Sequence, residues 1–92
     1  QGKQLFKPEK QITRAEAVVM LARVLNLDKA SDGFVSKFVD IEDHWAKDNI
    51  MALEEIGIIG GYEENGQMYF KPERNISRAE IGVLVVRVVE NQ

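Results

Sequence analysis

The 92-residue chain has no cysteine, only two prolines and a single tryptophan. Without cysteine, it can form neither a disulfide framework nor a cysteine-based zinc site. It also lacks an excess of positive charge, since 12 Lys and Arg stand against 15 Asp and Glu for a net charge of −3. Generic binding to nucleic-acid phosphates needs a basic face, so the composition argues against that class of function.

Long apolar runs are missing as well. No stretch reaches the roughly 20 residues that span a bilayer, so we expect no membrane insertion. The first residues, Gln1 to Gln4, include no initiator Met and do not form a signal peptide. We therefore expect a fragment of a longer protein, with any export signal outside it. A hydrophobic content of 45% with 29% charged residues is typical of one small folded domain.

The chain contains one sequence motif twice, at residues 6–16 and 70–80, and we call this motif the phrase. Phe-Lys-Pro-Glu and Arg-Ala-Glu recur unchanged, and residue 70 repeats residue 6 at an offset of 64. An apolar run follows each copy, with an arginine at matching places, Arg23 and Arg87. Such self-similarity indicates an internal structural repeat.

Each phrase predicts the start of a helix. Thr13 and Glu16, and likewise Ser77 and Glu80, have the spacing of a capping box. Apolar residues at helical spacing follow the first copy and predict a helix over 14–26. The run after the second copy is rich in β-branched residues, which favours a strand by propensity. Because the first copy is predicted to be helical, we predict a helix over 78–90 as well. This helix would be either buried at the centre of the fold or exposed along an apolar face whose packing partner is missing.

A third helix is predicted over 44–56, capped by Asp40 or Asp43 and ended by Gly57. Its core side would hold Trp45, Ile50, Leu53 and Ile56, with Glu54 and Glu55 outward. Residues 27–43 form a connection in which 38–40 is a short extended piece. Asn65-Gly66 predicts a small hairpin. The expected fold class is all-α in the main, with three principal helices and short extended loop segments.

With these parts in place, the chain resembles the S-layer homology (SLH) family. The resemblance is carried by Phe38 and Asp40, His44-Trp45-Ala46, Ile50, Leu53, Gly57-Ile58, Gly61-Tyr62, Gly66, Phe70, Pro72 and Ile76 to Glu80. It implies the second half of one repeat at 1–27, a connection at 28–37 and a complete repeat at 38–92. Ser77 departs from the family's usual Thr but keeps the hydroxyl. The chain holds about one and a half repeats, whereas the family usually works with three in tandem.

The resemblance implies a non-catalytic, extracellular module that anchors a protein to the bacterial cell wall. Its partner would be secondary cell-wall polysaccharide, made acidic by pyruvate. A helix N-terminus with an arginine fork suits a carboxylate, so Arg14 and Arg78 are the main candidates, supported by Lys10 and Arg74. Trp45 and Tyr62 offer faces for sugar rings, while Gly60 and Gly61 let backbone approach the ligand.

Plainer interpretations stand beside these. The two arginines could be solvated charges paired with Glu9 or Glu73, Trp45 could belong to the core, and Gly61 could serve backbone conformation. Thr13, Glu16, Ser77 and Glu80 are helix caps first. The competing function is a structural module that associates with other repeats or copies of itself.

Catalytic and metal sites find little support in the sequence. Ser77, His44 and Asp40 could be written as a triad, but no nucleophile motif surrounds the serine. The carboxylates of residues 40–43 do not form an EF-hand loop. No cofactor motif is present, so we expect no enzyme activity, no cofactor and no metal site.

Overall fold

The computed structural model describes residues 11–91. They form α1 (Arg14–Leu25), α2 (Lys47–Glu55), β1 (Tyr62–Glu64), β2 (Gln67–Tyr69) and α3 (Arg78–Glu90). The two strands make one small antiparallel sheet. The fold is therefore mainly helical as predicted, but it is mixed with a sheet. None of these helices is long and apolar enough to cross a membrane.

Both copies of the phrase start a helix by the same device. The Oγ1 atom of Thr13 accepts the N–H of Glu16 at 3.1 Å, and Glu16 accepts the N–H of Thr13 at 2.8 Å. Ser77 and Glu80 repeat the pair of bonds at 3.1 and 3.0 Å. The two predicted capping boxes are confirmed, and they fix where α1 and α3 begin.

The start of α2 differs from the prediction. The helix begins at Lys47, and its N-cap is Ala46, which has no side-chain cap. The N–H of Ala46 instead donates to Nδ1 of His44 at 3.0 Å. Capping by Asp40 or Asp43 was therefore wrong, because a histidine ring nitrogen takes the donor that a carboxylate was expected to take.

Asp40 instead connects two segments of the complete repeat that are far apart in the sequence. Its two carboxylate oxygens accept the N–H groups of Phe70 and Lys71, both at 2.9 Å. Nearby, Phe38 forms an isolated bridge to Met68 in β2. The extended piece expected at 38–40 is therefore limited to Phe38, because residues 39 and 40 lie in a bend. Asp40 thus fastens the beginning of the repeat to the beginning of the second phrase.

Gly57 ends α2 as predicted. Its φ is +82°, a left-handed conformation that glycine adopts without a Cβ penalty. Its N–H donates to the carbonyl of Glu54, and the N–H of Ile58 donates to that of Leu53, both at 3.0 Å. This pair of bonds is the Schellman motif, which satisfies the last carbonyls of the helix.

The two glutamates near the end of α2 also hold the preceding connection. Glu54 accepts the N–H of Lys37 at 3.0 Å, and Glu55 accepts the N–H of Ser31 at 2.9 Å. The expectation that both simply point outward was incomplete, since Glu54 is partly buried. The connection of residues 31–37 is thereby tied to α2.

The predicted hairpin is confirmed. Tyr62 pairs with Tyr69 and Glu64 with Gln67, so two residues remain for the turn. Asn65 and Gly66 have φ values of +54° and +80°, which a type I′ turn requires at both positions.

One core joins α1, α2 and the loops around the sheet. Its largest fully buried side chains are Phe70, Ile41, Ile50, Leu53, Ile58 and Val18. Ile50 and Leu53 face it as predicted, but Trp45 is 67% exposed and Ile56 39%. The late start of α2 explains Trp45, because it lies before the helix and not on the helix's inner face.

The third helix is poorly covered within the described part of the chain. Leu84 is its one buried residue, while Val85, Val86 and Val89 are exposed. Central burial of α3 was therefore a wrong expectation. The alternative, an apolar face without a neighbour, describes the helix as it stands.

Candidate functional site

The doubled phrase brings the beginnings of α1 and α3 together. Asn75 forms an antiparallel bridge to Thr13, and the N–H of Ile76 donates to the carbonyl of Ile12 at 2.9 Å. The first N–H of α1, that of Arg14, donates to the carbonyl of Arg74 at 2.8 Å. The next, that of Ala15, donates to Pro72 at 2.9 Å. The second phrase therefore occupies donors at the start of α1 that were expected to face an anion.

Arg14 crosses from the first half-repeat into the complete repeat. Its Nε donates to the carbonyl of Phe70 at 2.8 Å, and its Nη2 donates to the carbonyl of Gly60 at 3.1 Å. Its Nη1 lies 3.0 Å from a carboxylate oxygen of Glu80. Only 8% of the residue is exposed. Most N–H donors of the Arg14 guanidinium, which were expected to bind a ligand carboxylate, therefore bond to other groups of the chain.

Glu80 has two roles at this point. One carboxylate oxygen closes the capping box, and the other accepts from the hydroxyl of Tyr62 at 2.7 Å and from Arg14. The backbone N–H of Ser77, and then the Tyr62 hydroxyl and the Arg14 charge, lower the pKa of Glu80 below its ordinary value of 4.5. Burial opposes these groups but does not reverse the direction.

Three cations surround the ring of Tyr62. The guanidinium carbons of Arg14 and Arg74 lie 5.0 and 5.1 Å from the ring centre, and Nζ of Lys71 lies 5.2 Å from it. At these distances, cation–π attraction stabilises each positive charge at the face of the ring. We call Tyr62, Lys71 and Arg74 the cationic rim.

The three cations around Tyr62 differ in their ion pairs. Lys71 pairs with Glu64, and Arg14 pairs with Glu80. Arg74 has no carboxylate within 4 Å among residues 11–91, and it is exposed. Arg74 is also the most accessible of the three cations, since Lys71 is half-buried and Arg14 is buried.

Beside the rim lies a cleft of about 290 Å³ between α1 and α3. Its volume is near the lower end of the range that small-ligand sites show. Most of the lining is apolar, with a few polar groups among it. The cleft is lined by Arg14, Val18, Ile59, Gly60, Gly61, Tyr62, Phe70, Ile76, Ala79, Glu80, Val83, Leu84 and Arg87.

The two glycines that line the cleft differ in the space around them. A Cβ on Gly61 would lie 2.5 Å from both the Phe38 ring and the carbonyl of Tyr69, so this position requires glycine for packing. A Cβ on Gly60 would meet nothing within 4 Å, although its carbonyl already accepts from Arg14. Gly61 is thus a packing residue, and Gly60 leaves room at the exposed side of the cleft.

The structure does not bring the other predicted residues into the cleft. Trp45 lies outside it, next to His44, with ring centres 5.3 Å apart. Arg78 is exposed at the start of α3 and has no hydrogen bond or ion pair from its side chain within residues 11–91. Lys10 lies outside the described residues.

Sequence reasoning missed several members of this site. Glu80 was expected only as a cap, and Phe70 and Arg87 were not considered for the cleft. Arg87 reaches the carbonyl of Ile58 at 3.1 Å. Its correspondence to Arg23 in the repeat was the available signal, but that correspondence does not say which of the two faces a cleft.

The residues that could be written as a triad are separately engaged. Ser77 caps α3, His44 pairs with Glu73, and Asp40 accepts two backbone N–H groups. Within residues 11–91, no group of three or more His, Asp or Glu is arranged to hold a metal ion.

Comparison with known proteins gives the class of this chain. The sequence model of the S-layer homology domain matches residues 1–18 and 37–81. The chain is 40% identical over 89 residues to a cellulosome-anchoring protein of Acetivibrio thermocellus, covering 94% of the chain and 19% of that protein. It is 39% identical over 84 residues to the S-layer protein Sap of Bacillus anthracis, covering 91% and 10%. An endoglucanase of Bacillus sp. (strain KSM-635) is 38% identical over 85 residues, covering 92% and 8%.

These matches support a cell-surface anchoring module. The chain belongs to the S-layer homology domain family, as its motifs indicated. It spans about a fifth or less of the length of these relatives. Membership places it at the bacterial cell surface, and the family's part in such proteins is anchoring, not catalysis.

Proposed function

We propose that the chain anchors its parent protein by binding an acidic, pyruvylated secondary cell-wall polysaccharide. The ligand's carboxylate lies against the cationic rim, and the attached sugar enters the cleft between α1 and α3. One observation carries this proposal: cations gather around Tyr62 at the edge of an apolar cleft, although the whole chain is acidic. The relatives named for anchoring and for surface layers support the setting.

Within this proposal, Arg74 makes the direct contact with the anion. It is exposed and lacks a carboxylate partner within residues 11–91, whereas Lys71 is shared with Glu64. A planar guanidinium can hold a carboxylate with two hydrogen bonds. Arg14 contributes positive charge and the shape of the cleft, because its own donors are largely occupied.

Trp45 extends the proposed surface beyond the cleft. Its ring is exposed, and the neighbouring His44 contacts Glu73, the residue before Arg74. An exposed aromatic face suits the apolar side of a sugar ring. We expect a polymer that leaves the cationic rim to pack one further sugar on Trp45. As the only tryptophan, it also supplies a fluorescence signal for binding.

The test measures affinity for purified wall polymer by titration calorimetry, using Arg74→Gln and the matched control Arg23→Gln. Both arginines are exposed, but Arg23 lies in the last turn of α1, at the far end from the cleft's Arg14. Losing one charge-assisted pair should weaken binding about tenfold for Arg74→Gln. Arg23→Gln should bind as the unaltered chain does. Equal affinity for all three proteins, with equal melting temperatures, would remove Arg74 from the site.

The alternative function, association with other repeats, has an observation of its own. The exposed apolar face of α3 includes Val85, Val86 and Val89. A row of this kind on a small domain commonly marks an interaction surface. Both functions can belong to one chain, since this face and the cationic rim use different residues.

A further inference from the structure

Glu73 is the acidic residue of the turn formed by residues 71–74, and it directly precedes Arg74. The N–H of Arg74 donates to the carbonyl of Lys71 at 3.2 Å and closes this turn. The Glu73 side chain is 72% exposed, so packing does not fix the position of its carboxylate. A free carboxylate one residue from a guanidinium would compete with an outside anion for the same N–H donors. The anion-binding capacity of Arg74 therefore depends on where Glu73 is held.

The structure places the Glu73 carboxylate against His44, which lies 29 residues earlier in the sequence. One of its oxygens is 2.5 Å from Nε2 of His44. In the described range 11–91, no carboxylate lies within 4 Å of the Arg74 guanidinium. Glu73 and Arg74 are thus neighbours in the chain, but the acidic side chain contacts a different partner and the arginine is left without one in that range.

His44 is a rigid donor for this contact. Its side chain is only 11% exposed, and its ring lies beside that of Trp45, with ring centres 5.3 Å apart. The N–H of Ala46 donates to Nδ1 at 3.0 Å, so Nδ1 carries no proton. The ring proton is therefore on Nε2, which donates it to Glu73. The start of α2 thus fixes both the tautomer of His44 and the direction of its donor.

We propose that His44 is a positioning residue for anion binding: its Nε2–H holds the Glu73 carboxylate away from Arg74 and leaves that guanidinium open to the ligand. The role rests on the proposed recognition of an acidic polysaccharide by the cationic rim. His44 acts through Glu73 and makes no contact with the anion itself. Loss of His44 therefore weakens binding only while Glu73 keeps its charge.

Two substitutions separate the roles of the two ring nitrogens. His44→Asn retains an oxygen that can accept the N–H two residues later, as in an Asx turn, but its side chain is too short to reach Glu73. His44→Gln has an amide nitrogen as many bonds from the backbone as Nε2, so it can still donate to Glu73, but it lacks the acceptor for Ala46. The hold on Glu73 is therefore lost in the first variant and kept in the second.

Titration calorimetry with purified wall polymer gives the first measurement. His44→Asn should weaken binding about three- to fivefold, because the released Glu73 carboxylate competes for Arg74 with the strength of an exposed ion pair. His44→Gln should stay within about twofold of the parent. Adding Glu73→Gln to His44→Asn should restore the parent's affinity. Adding Glu90→Gln, which removes an equal charge about 15 Å along α3 from Glu80, should not. Weakened binding that Glu73→Gln fails to restore would overturn the proposal.

The second measurement needs no polysaccharide. Solvent exchange of the Arg74 Nε–H proton, followed by NMR, slows when the guanidinium pairs with a carboxylate. In His44→Asn this exchange should be at least about threefold slower than in the parent, and Glu73→Gln should return it to the parent's rate. An exchange rate that His44→Asn leaves unchanged would overturn the proposal. If the exchange slows as expected while all variants bind the polymer equally, His44 does hold Glu73, and the anion contact assigned to Arg74 is the part that fails.

Discussion

Replacing Arg14 with alanine should destabilise the chain far more than replacing Arg78, although both begin a helix in the same phrase. The Arg14 side chain donates to two carbonyls of the complete repeat, at 2.8 and 3.1 Å. It lies over the Phe70 ring at 4.5 Å and pairs with Glu80. Arg78 has no such contacts within residues 11–91. The two variants therefore form a matched pair in which only the surroundings differ.

The magnitude follows from these contacts. Two charge-assisted hydrogen bonds contribute about 1.5 kcal/mol each. Placement over an aromatic ring adds about 0.5 kcal/mol. The pair with Glu80, whose side chain is 31% exposed, adds about 0.5 kcal/mol after solvent screening. Water that enters the vacated space returns part of this sum, so we expect a loss of about 3 kcal/mol for Arg14→Ala.

Urea denaturation followed by far-UV circular dichroism is the assay. For a domain of this size, a loss of about 3 kcal/mol corresponds to a melting temperature lower by about 12–24 °C. Arg78→Ala should stay within about 0.5 kcal/mol of the parent. Arg14→Lys should recover little, because one ammonium cannot replace a fork that reaches several acceptors. If Arg14→Ala and Arg78→Ala had equal unfolding free energies, the assignment of Arg14 as a connection between repeats would be refuted.

Three further changes test other parts of the structure. Gly61→Ala should destabilise by about 2 kcal/mol or more, since its Cβ would lie 2.5 Å from the Phe38 ring and the carbonyl of Tyr69; an unchanged urea midpoint would contradict the packing described. Asp40→Ala should cost about 2 kcal/mol, because it leaves two backbone N–H groups without their carboxylate; Asp40→Asn should recover part of this loss in the same measurement. Glu80→Gln should reduce the dependence of stability on pH. The folded pKa of Glu80 lies below 4.5, so its contribution is present above that pH and is lost as the pH falls through the folded value. Parallel urea midpoints for parent and Glu80→Gln between about pH 5 and about pH 3 would contradict this sign.

The parts of the fold that sequence predicted well depend on neighbours in the chain. A capping box needs residues three apart, and Thr13 with Glu16 supplies one. Gly57 ends a helix and Asn65-Gly66 makes a hairpin turn through their own backbone conformations. Such signals can be read from a few residues because the bonds that satisfy them are local.

The parts that differed depend on contacts between distant residues. Asp40 could have capped α2, but it accepts N–H groups 30 and 31 residues away. The α2 helix begins at Lys47, after the N–H of Ala46 has donated to the His44 ring, and Trp45, which precedes the helix, is exposed. Composition and spacing do not describe this competition, which the tertiary fold decides.

The candidate site was only partly predictable for the same reason. The doubled phrase indicated that Arg14 and Arg78 matter, and the pattern around Tyr62 indicated a loop with a role. The partners of Arg14, however, lie 46 to 66 residues away in the sequence. An arginine expected to reach outward is turned into the fold, and Arg74, a supporting residue in the prediction, lies at the exposed rim.

The most direct test of the anchoring proposal compares two forms of one ligand. Wall polymer carrying its pyruvate groups, and the same polymer after mild acid has removed them, are titrated into the unaltered chain. We predict that removal weakens binding by about tenfold or more and abolishes most of its salt dependence, because the carboxylate is what the cationic rim recognises. Equal affinity for the two polymers would contradict recognition of the carboxylate by this rim.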